Sequence, residues 1–130
     1  MKIENIIIID DEPDICRLLQ NTIVKFNYKV FCYHTLQAGL SEIAEIKPLF
    51  VFLDINLPDG NGLDAIAPIK KLNPATRVIM ISAYDGKSER NMALSNGAED
   101  FISKPFSSAV ITGKLTAQNT LSKGSGKGTS

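Results

Sequence analysis

Apolar residues fall into two alternating patterns along the chain: short unbroken runs, and longer stretches with helical spacing. Ile6, Ile7, Ile8 and Ile9 form a β-branched run with no polar residue interposed, the pattern of a strand buried on both faces of a parallel sheet. Asp10 and Asp11 end it. Ile15, Leu18, Leu19, Ile23 and Phe26 then recur at helical spacing, with Asp11 as a candidate cap and Pro13 tolerated in the first turn. Lys29 to Cys32 predicts an edge strand, and Leu36, Leu40, Ile43 and Ala44 predict one face of a second helix that ends before Pro48. Leu49 to Leu53 is the next buried run. It ends in Asp54, and the turn residues from Leu57 to Gly62 lead into a third helix around Leu63 to Leu72. Arg77 to Ile81 predicts a fourth strand, Ser88 to Asn96 a helix closing on Gly97, Asp100 to Ile102 a short fifth strand, and Ser107 to about Ala117 a last helix.

Five strands alternating with five helices through short loops predict a doubly wound α/β domain, its parallel sheet covered on both faces. Pro68 conflicts with the third helix, since at an ideal interior position it costs about 3 kcal/mol, and the sequence offers no reason for it. From Ser122 the chain reads Ser-Lys-Gly-Ser-Gly-Lys-Gly-Thr-Ser, with no apolar residue to bury. The expected organisation is a folded domain over residues 1–118 and a flexible linker or tail over 119–130.

Composition supports one core. The chain has 130 residues, 44% hydrophobic and 22% charged, ordinary for a globular domain of that length. Fourteen basic residues cancel fourteen acidic ones, so no general field favours nucleic acid or anionic lipid. The apolar run Ile6 to Ile9 is far shorter than the roughly 20 residues of a spanning helix, and no basic leader or cleavage site marks a signal peptide. A cytoplasmic protein is expected, with Cys16 and Cys32 as buried free thiols, because two cysteines without a histidine pair lack a zinc spacing. His34, the only histidine, has a surface or capping role in this reading.

In open α/β sheets the ligand site lies beyond the carboxyl ends of the strands. There the first strand delivers Asp10 and Asp11, the third Asp54, the fourth Ser82, and the fifth is followed by Lys104 and Pro105. Clustered carboxylates repel one another unless a hard cation joins them, and an oxygen-only set suits magnesium better than zinc. A phosphoryl group is the natural guest of such a site. An aspartate can attack phosphorus to form an acyl phosphate, with Lys104 pairing one phosphoryl oxygen and Ser82 donating to another. Each piece alone reads as a cap, turn or solvated residue; convergence after four strands of one sheet is what capping does not require. Asp59, Asp64 and Glu89 keep the cap or surface reading.

The chain resembles the receiver family of two-component response regulators from Ile3 to about Ala117. The matching motifs are Ile8 to Glu12, Phe52-Leu53-Asp54 with Leu57 to Gly60, Ser82-Ala83, and Gly97 to Phe106. The resemblance implies a flavodoxin-like sheet of order 2-1-3-4-5 and Asp54 as phospho-acceptor. It implies magnesium held by Asp10, Asp11, Asp54 and the backbone carbonyl of Asn56, with Lys104 on the phosphoryl group. Ser82 takes the hydroxyl switch position, Phe101 the aromatic one, and the Lys104–Pro105 bond is cis. Tyr84 stands at the mouth of the site, where it would shield an acyl phosphate. The implied partners are a sensor histidine kinase or phosphotransfer protein, and a second copy through the fourth helix, fifth strand and fifth helix. The domain itself contacts neither nucleic acid nor membrane, and is no enzyme beyond its own phosphorylation and dephosphorylation.

Three other readings compete. A phosphatase of the haloacid dehalogenase type needs an acid two residues after its nucleophile, where Asn56 stands. A flavin carrier needs a phosphate loop after the first strand, where Asp10 and Asp11 would repel phosphate. A docking module without phosphorylation needs none of the filled chemical positions.

Overall fold

A computed structural model describes residues 3–83 and 86–127, with side chains to residue 117. Five strands form one parallel sheet: β1 (Asn5–Ile9), β2 (Lys29–Tyr33), β3 (Phe50–Asp54), β4 (Arg77–Ser82) and β5 (Asp100–Ser103). Their order is β2-β1-β3-β4-β5, as expected. Five α-helices cover the faces: α1 (Pro13–Ile23), α2 (Leu36–Ile46), α3 (Ile66–Leu72), α4 (Lys87–Ser95) and α5 (Ser108–Lys127). Among the described residues no helix is long and apolar enough to cross a membrane.

The unbroken apolar runs are strands because both of their faces are buried. Ile7 and Ile9 of β1 pack with Val51 and Leu53 of β3 and Val78 and Met80 of β4 on one side. Ile6, Ile8, Phe50, Phe52, Ile79 and Ile81 pack under α1 and α5 on the other. Every residue of β3 is buried, so Asp54 at its end is carried by the most enclosed strand of the sheet.

Several local expectations are corrected. The cap of α1 is Glu12, which makes no side-chain capping bond and turns its carboxylate elsewhere. The third helix opens with a 3-10 turn at Gly62–Ala65 and becomes α-helical only at Ile66. Pro68 therefore falls in the first turn of α3, where the missing donor costs no intrahelical bond. The helix α5 continues to Lys127, past the expected end near Ala117, with no proline to stop backbone hydrogen bonding. Cys16 and Cys32 are not free thiols. Helix α1 lays Cys16 against β2, bringing the Cα atoms to 6.3 Å, and the sulfurs are bonded, a separation a disulfide can span.

Candidate functional site

Four of the five strand ends meet in a cleft of about 230 Å³ lined by Asp11, Glu12, Asp54, Asn56, Ser82, Ala83 and Lys104. Asp10 is fully buried and meets the cleft through its ion pair with Lys104, whereas Asp11 is exposed at the rim. Asp10 Oδ1 accepts the Glu12 backbone N–H at 2.8 Å, and Asp54 Oδ1 accepts that of Ile55 at 2.8 Å. The second oxygens of both carboxylates face Lys104, whose Nζ lies 2.9 Å from Asp10 Oδ2 and 3.4 Å from Asp54 Oδ2. Glu12 completes the ring, accepting from Lys104 Nζ at 2.6 Å. One ammonium thus sits among three carboxylates.

Burial and charge set the protonation balance. Burial pushes the Asp54 carboxyl from 3.8 up to about 6, Asp10 adds to the rise, and Lys104 holds it back. Asp10 is raised as well, chiefly by burial, against the opposing Glu12 amide and Lys104. Burial alone would lower Lys104, yet its hydrogen bond to Glu12, its ion pair with Asp10 and the charge of Asp54 carry it well above its ordinary value. Lys104 is therefore held as a cation. Its backbone is fixed too, since its N–H donates to the Ser82 carbonyl at 2.8 Å. The Lys104–Pro105 peptide is cis, as the resemblance implies.

The residues fit a hard cation. Oxygen atoms of Asp10, Glu12 and Asp54 lie within 4.8 Å of one another. The buried Asp10 Oδ2 has no hydrogen-bond partner, its short approach to Lys104 being an ion pair off hydrogen-bonding geometry. An oxygen-only set with an unsatisfied buried carboxylate is what magnesium takes. Glu12 is the site residue that the strand-end argument passed over. Its signal was the third acid in the Asp-Asp-Glu run, but its contact with Lys104 spans 92 residues.

The remaining candidates divide. Ser82 is buried in the cleft wall at the end of β4. Phe101 is buried in the core with the Arg90 guanidinium 4.8 Å from its ring centre, and Arg90 donates to Ser103 Oγ at 3.2 Å. Asn56 is exposed at the cleft edge, where it begins a small hairpin with Asn61. Tyr84 lies outside the described residues. Asp59 is a cap, as expected, but for a distant helix: its carboxylate accepts from Leu36 and Gln37 at the start of α2, at 2.8 and 2.9 Å. These amides hold its carboxyl below the ordinary carboxylate value. His34 is exposed, with Nδ1 2.9 Å from the Asp10 carbonyl oxygen.

A parallel sheet of this order, with an acidic cleft and a lysine at its carboxyl edge, defines a receiver-type α/β domain. The chain belongs to the response regulator receiver domain family, which it matches over residues 6–116. It is 38% identical over 111 residues to the KDP operon transcriptional regulatory protein KdpE of Escherichia coli, covering 85% of this chain and 49% of that protein. The chain thus spans about half the length of the curated relatives it matches. Among solved structures it resembles a CheY-like response regulator receiver domain protein from Methanospirillum hungatei, with 26% identity and a TM-score of 0.85 over 90% of this chain and 94% of that one. A response regulator from Burkholderia pseudomallei, solved with a phosphorylated aspartic acid, a calcium ion and citrate, shares the fold at 24% identity and a TM-score of 0.78, covering 92% of this chain and 74% of that one.

Proposed function

We propose that this receiver domain accepts a phosphoryl group on Asp54 Oδ2 in a magnesium-dependent reaction, from a sensor histidine kinase or phosphotransfer protein. The observation that carries the reading is the Lys104 ammonium held among Asp10, Glu12 and Asp54 at the carboxyl edge of the sheet. Asp54 Oδ1 is occupied by the Ile55 amide, which leaves Oδ2 as the attacking atom. Lys104 pairs an oxygen of the incoming group, and Ser82 donates a hydrogen bond to another. Asp10 and Asp54, with Asp11 or Glu12 at the rim and the Asn56 carbonyl, would hold the metal. Magnesium, when bound, offsets the negative charge of the carboxylates and the phosphoryl oxygens.

Output follows from a change of surface. Ser82 and Lys104 drawn toward the phosphoryl group alter the β4 and β5 ends, and with them the α4, β5 and α5 face through which a partner or second copy docks. The setting is cytoplasmic, where kinase and receiver meet.

Intact-mass spectrometry after incubation with acetyl phosphate and magnesium tests the reading. One added phosphoryl group is expected, absent from Asp54→Ala and from a magnesium-free control. No adduct, with failure to bind beryllofluoride as well, refutes it in favour of a docking module.

A further inference from the structure

Cys16 lies in the first turn of α1 and is 4% exposed, while Cys32 is partly buried in β2, the edge strand of the sheet. Neither sulfur has a role in the phosphorylation cleft, yet both stand directly behind it. The Cys16 N–H donates to the Glu12 carbonyl at 3.2 Å, and Cys16 Sγ is 3.7 Å from the Asp10 carbonyl oxygen. His34, two residues beyond Cys32, reaches that same carbonyl oxygen with Nδ1 at 2.9 Å. Donor atoms of Cys16, Cys32 and His34 lie within 4.8 Å of one another. The pair therefore backs the two residues, Asp10 and Glu12, whose carboxylates hold Lys104.

We propose that Cys16 and Cys32 are a reversible dithiol and disulfide pair, a redox modification site separate from Asp54 that reports to it through the Asp10–Glu12 loop. Closure removes one proton and one electron from each thiol as the S–S bond forms; hydrogen peroxide accepts both pairs and leaves as two waters. A small dithiol reverses the step by exchange, attacking at Cys32, the less buried residue of the pair, and leaves as its own disulfide with both thiols restored. In a reducing compartment such a bond persists only as a signal, and one that closes within a chain needs no partner protein. Closure ties the first turn of α1 to β2 and fixes the backbone that presents Asp10 and Glu12. Opening removes the covalent tie and leaves the loop to its hydrogen bonds and its ion pairs with Lys104, so the dithiol form positions the carboxylates less well. This last consequence rests on the phosphoryl-accepting reading; the thiol chemistry does not.

The test uses the whole chain, reduced and desalted, then exposed to hydrogen peroxide, unfolded in N-ethylmaleimide and weighed intact. Two adducts before oxidation, none after, and two again after dithiothreitol are expected, with the chain monomeric on a non-reducing gel and no closure in Cys32→Ser. Two adducts persisting after peroxide, or bonds formed only between chains, overturn the proposal. So does a reduced chain that retains one zinc per molecule with its thiols protected from both reagents, which assigns the three residues to a metal site. Labelling by acetyl phosphate is expected to be about threefold or more faster in the disulfide form, an effect of preorganisation, and Cys32→Ser should behave as the dithiol form under both conditions. Equal rates overturn the coupling. Absence of labelling in either form, with the maleimide result intact, overturns the phosphoryl reading and leaves the redox site standing.

Discussion

Replacing Asp54 with asparagine should make the protein more stable, because the fold holds this carboxylate at a cost. Asp54 is 5% exposed, and burial with the neighbouring Asp10 lifts its pKa from 3.8 to about 6. A group raised in the folded state contributes stability that is full below 3.8 and lost as pH rises through about 6. Above that window the ionised side chain opposes folding by about 3 kcal/mol, at about 1.36 kcal/mol for each pH unit between the two values. Asparagine keeps the shape and still accepts the Ile55 amide, while Lys104 keeps Asp10 and Glu12. In metal-free buffer, Asp54→Asn should gain about 3 kcal/mol at pH 8, about 1 kcal/mol at pH 4.5, and almost nothing at pH 3.5. Urea unfolding of both proteins at each pH, with equal slopes against denaturant, measures the difference. A gain that does not change with pH, or none at pH 8, refutes the reasoning.

Two further substitutions probe the frame around the site. A Cβ at Gly62 would collide with the Asp54 carbonyl oxygen and lie 3.0 Å from its carbonyl carbon; backbone cannot swing aside, so Gly62→Ala should cost about 3 kcal/mol and lower the midpoint of thermal unfolding by about 10 °C, a loss under 1 kcal/mol counting against it. Arg90→Ala removes the guanidinium 4.8 Å from the Phe101 ring, and a double-mutant cycle with Phe101→Leu should return about 0.5 to 1 kcal/mol of coupling in urea unfolding, where additive effects would show that the ring does not depend on Arg90.

Strands and strand-end residues were legible because each is encoded locally. A run such as Phe50 to Leu53 has both faces buried, so its apolar continuity is visible without knowing its neighbours. Asp10, Asp54, Ser82 and Lys104 needed only the rule that ligands gather at the carboxyl edge. What escaped depends on contacts between distant positions. Glu12 looks like any first-turn acid until Lys104, 92 residues on, is placed beside it. Asp59 was read as a cap or turn, but its helix begins 23 residues earlier in the chain. Cys16 and Cys32 carry no pairing signal, since only the docking of α1 against β2 sets their distance. Pro68 misled for a different reason, because periodicity does not distinguish a 3-10 entry from an α-helical one.

The placement of Asp54 restricts how a charge change there can be transmitted. Strand β3 is paired on both edges, to β1 and β4, and every residue in it is buried, so a shift of the strand would disrupt close packing on both of its faces. The groups able to respond are at the ends of β4 and β5. Lys104 and Ser82 are joined there by the 2.8 Å bond from the Lys104 amide to the Ser82 carbonyl, so a pull on the ammonium is felt by both. Three residues before Lys104, Phe101 lies under Arg90 of α4, and Arg90 is bonded to Ser103 next to Lys104. Displacing Lys104 from Asp10 and Glu12 toward a new anion on Asp54 would thus strain one short connected path, from the cleft through β5 to α4. If Asp54 is phosphorylated as proposed, the α4 and β5 side is where the change of state is expected to emerge.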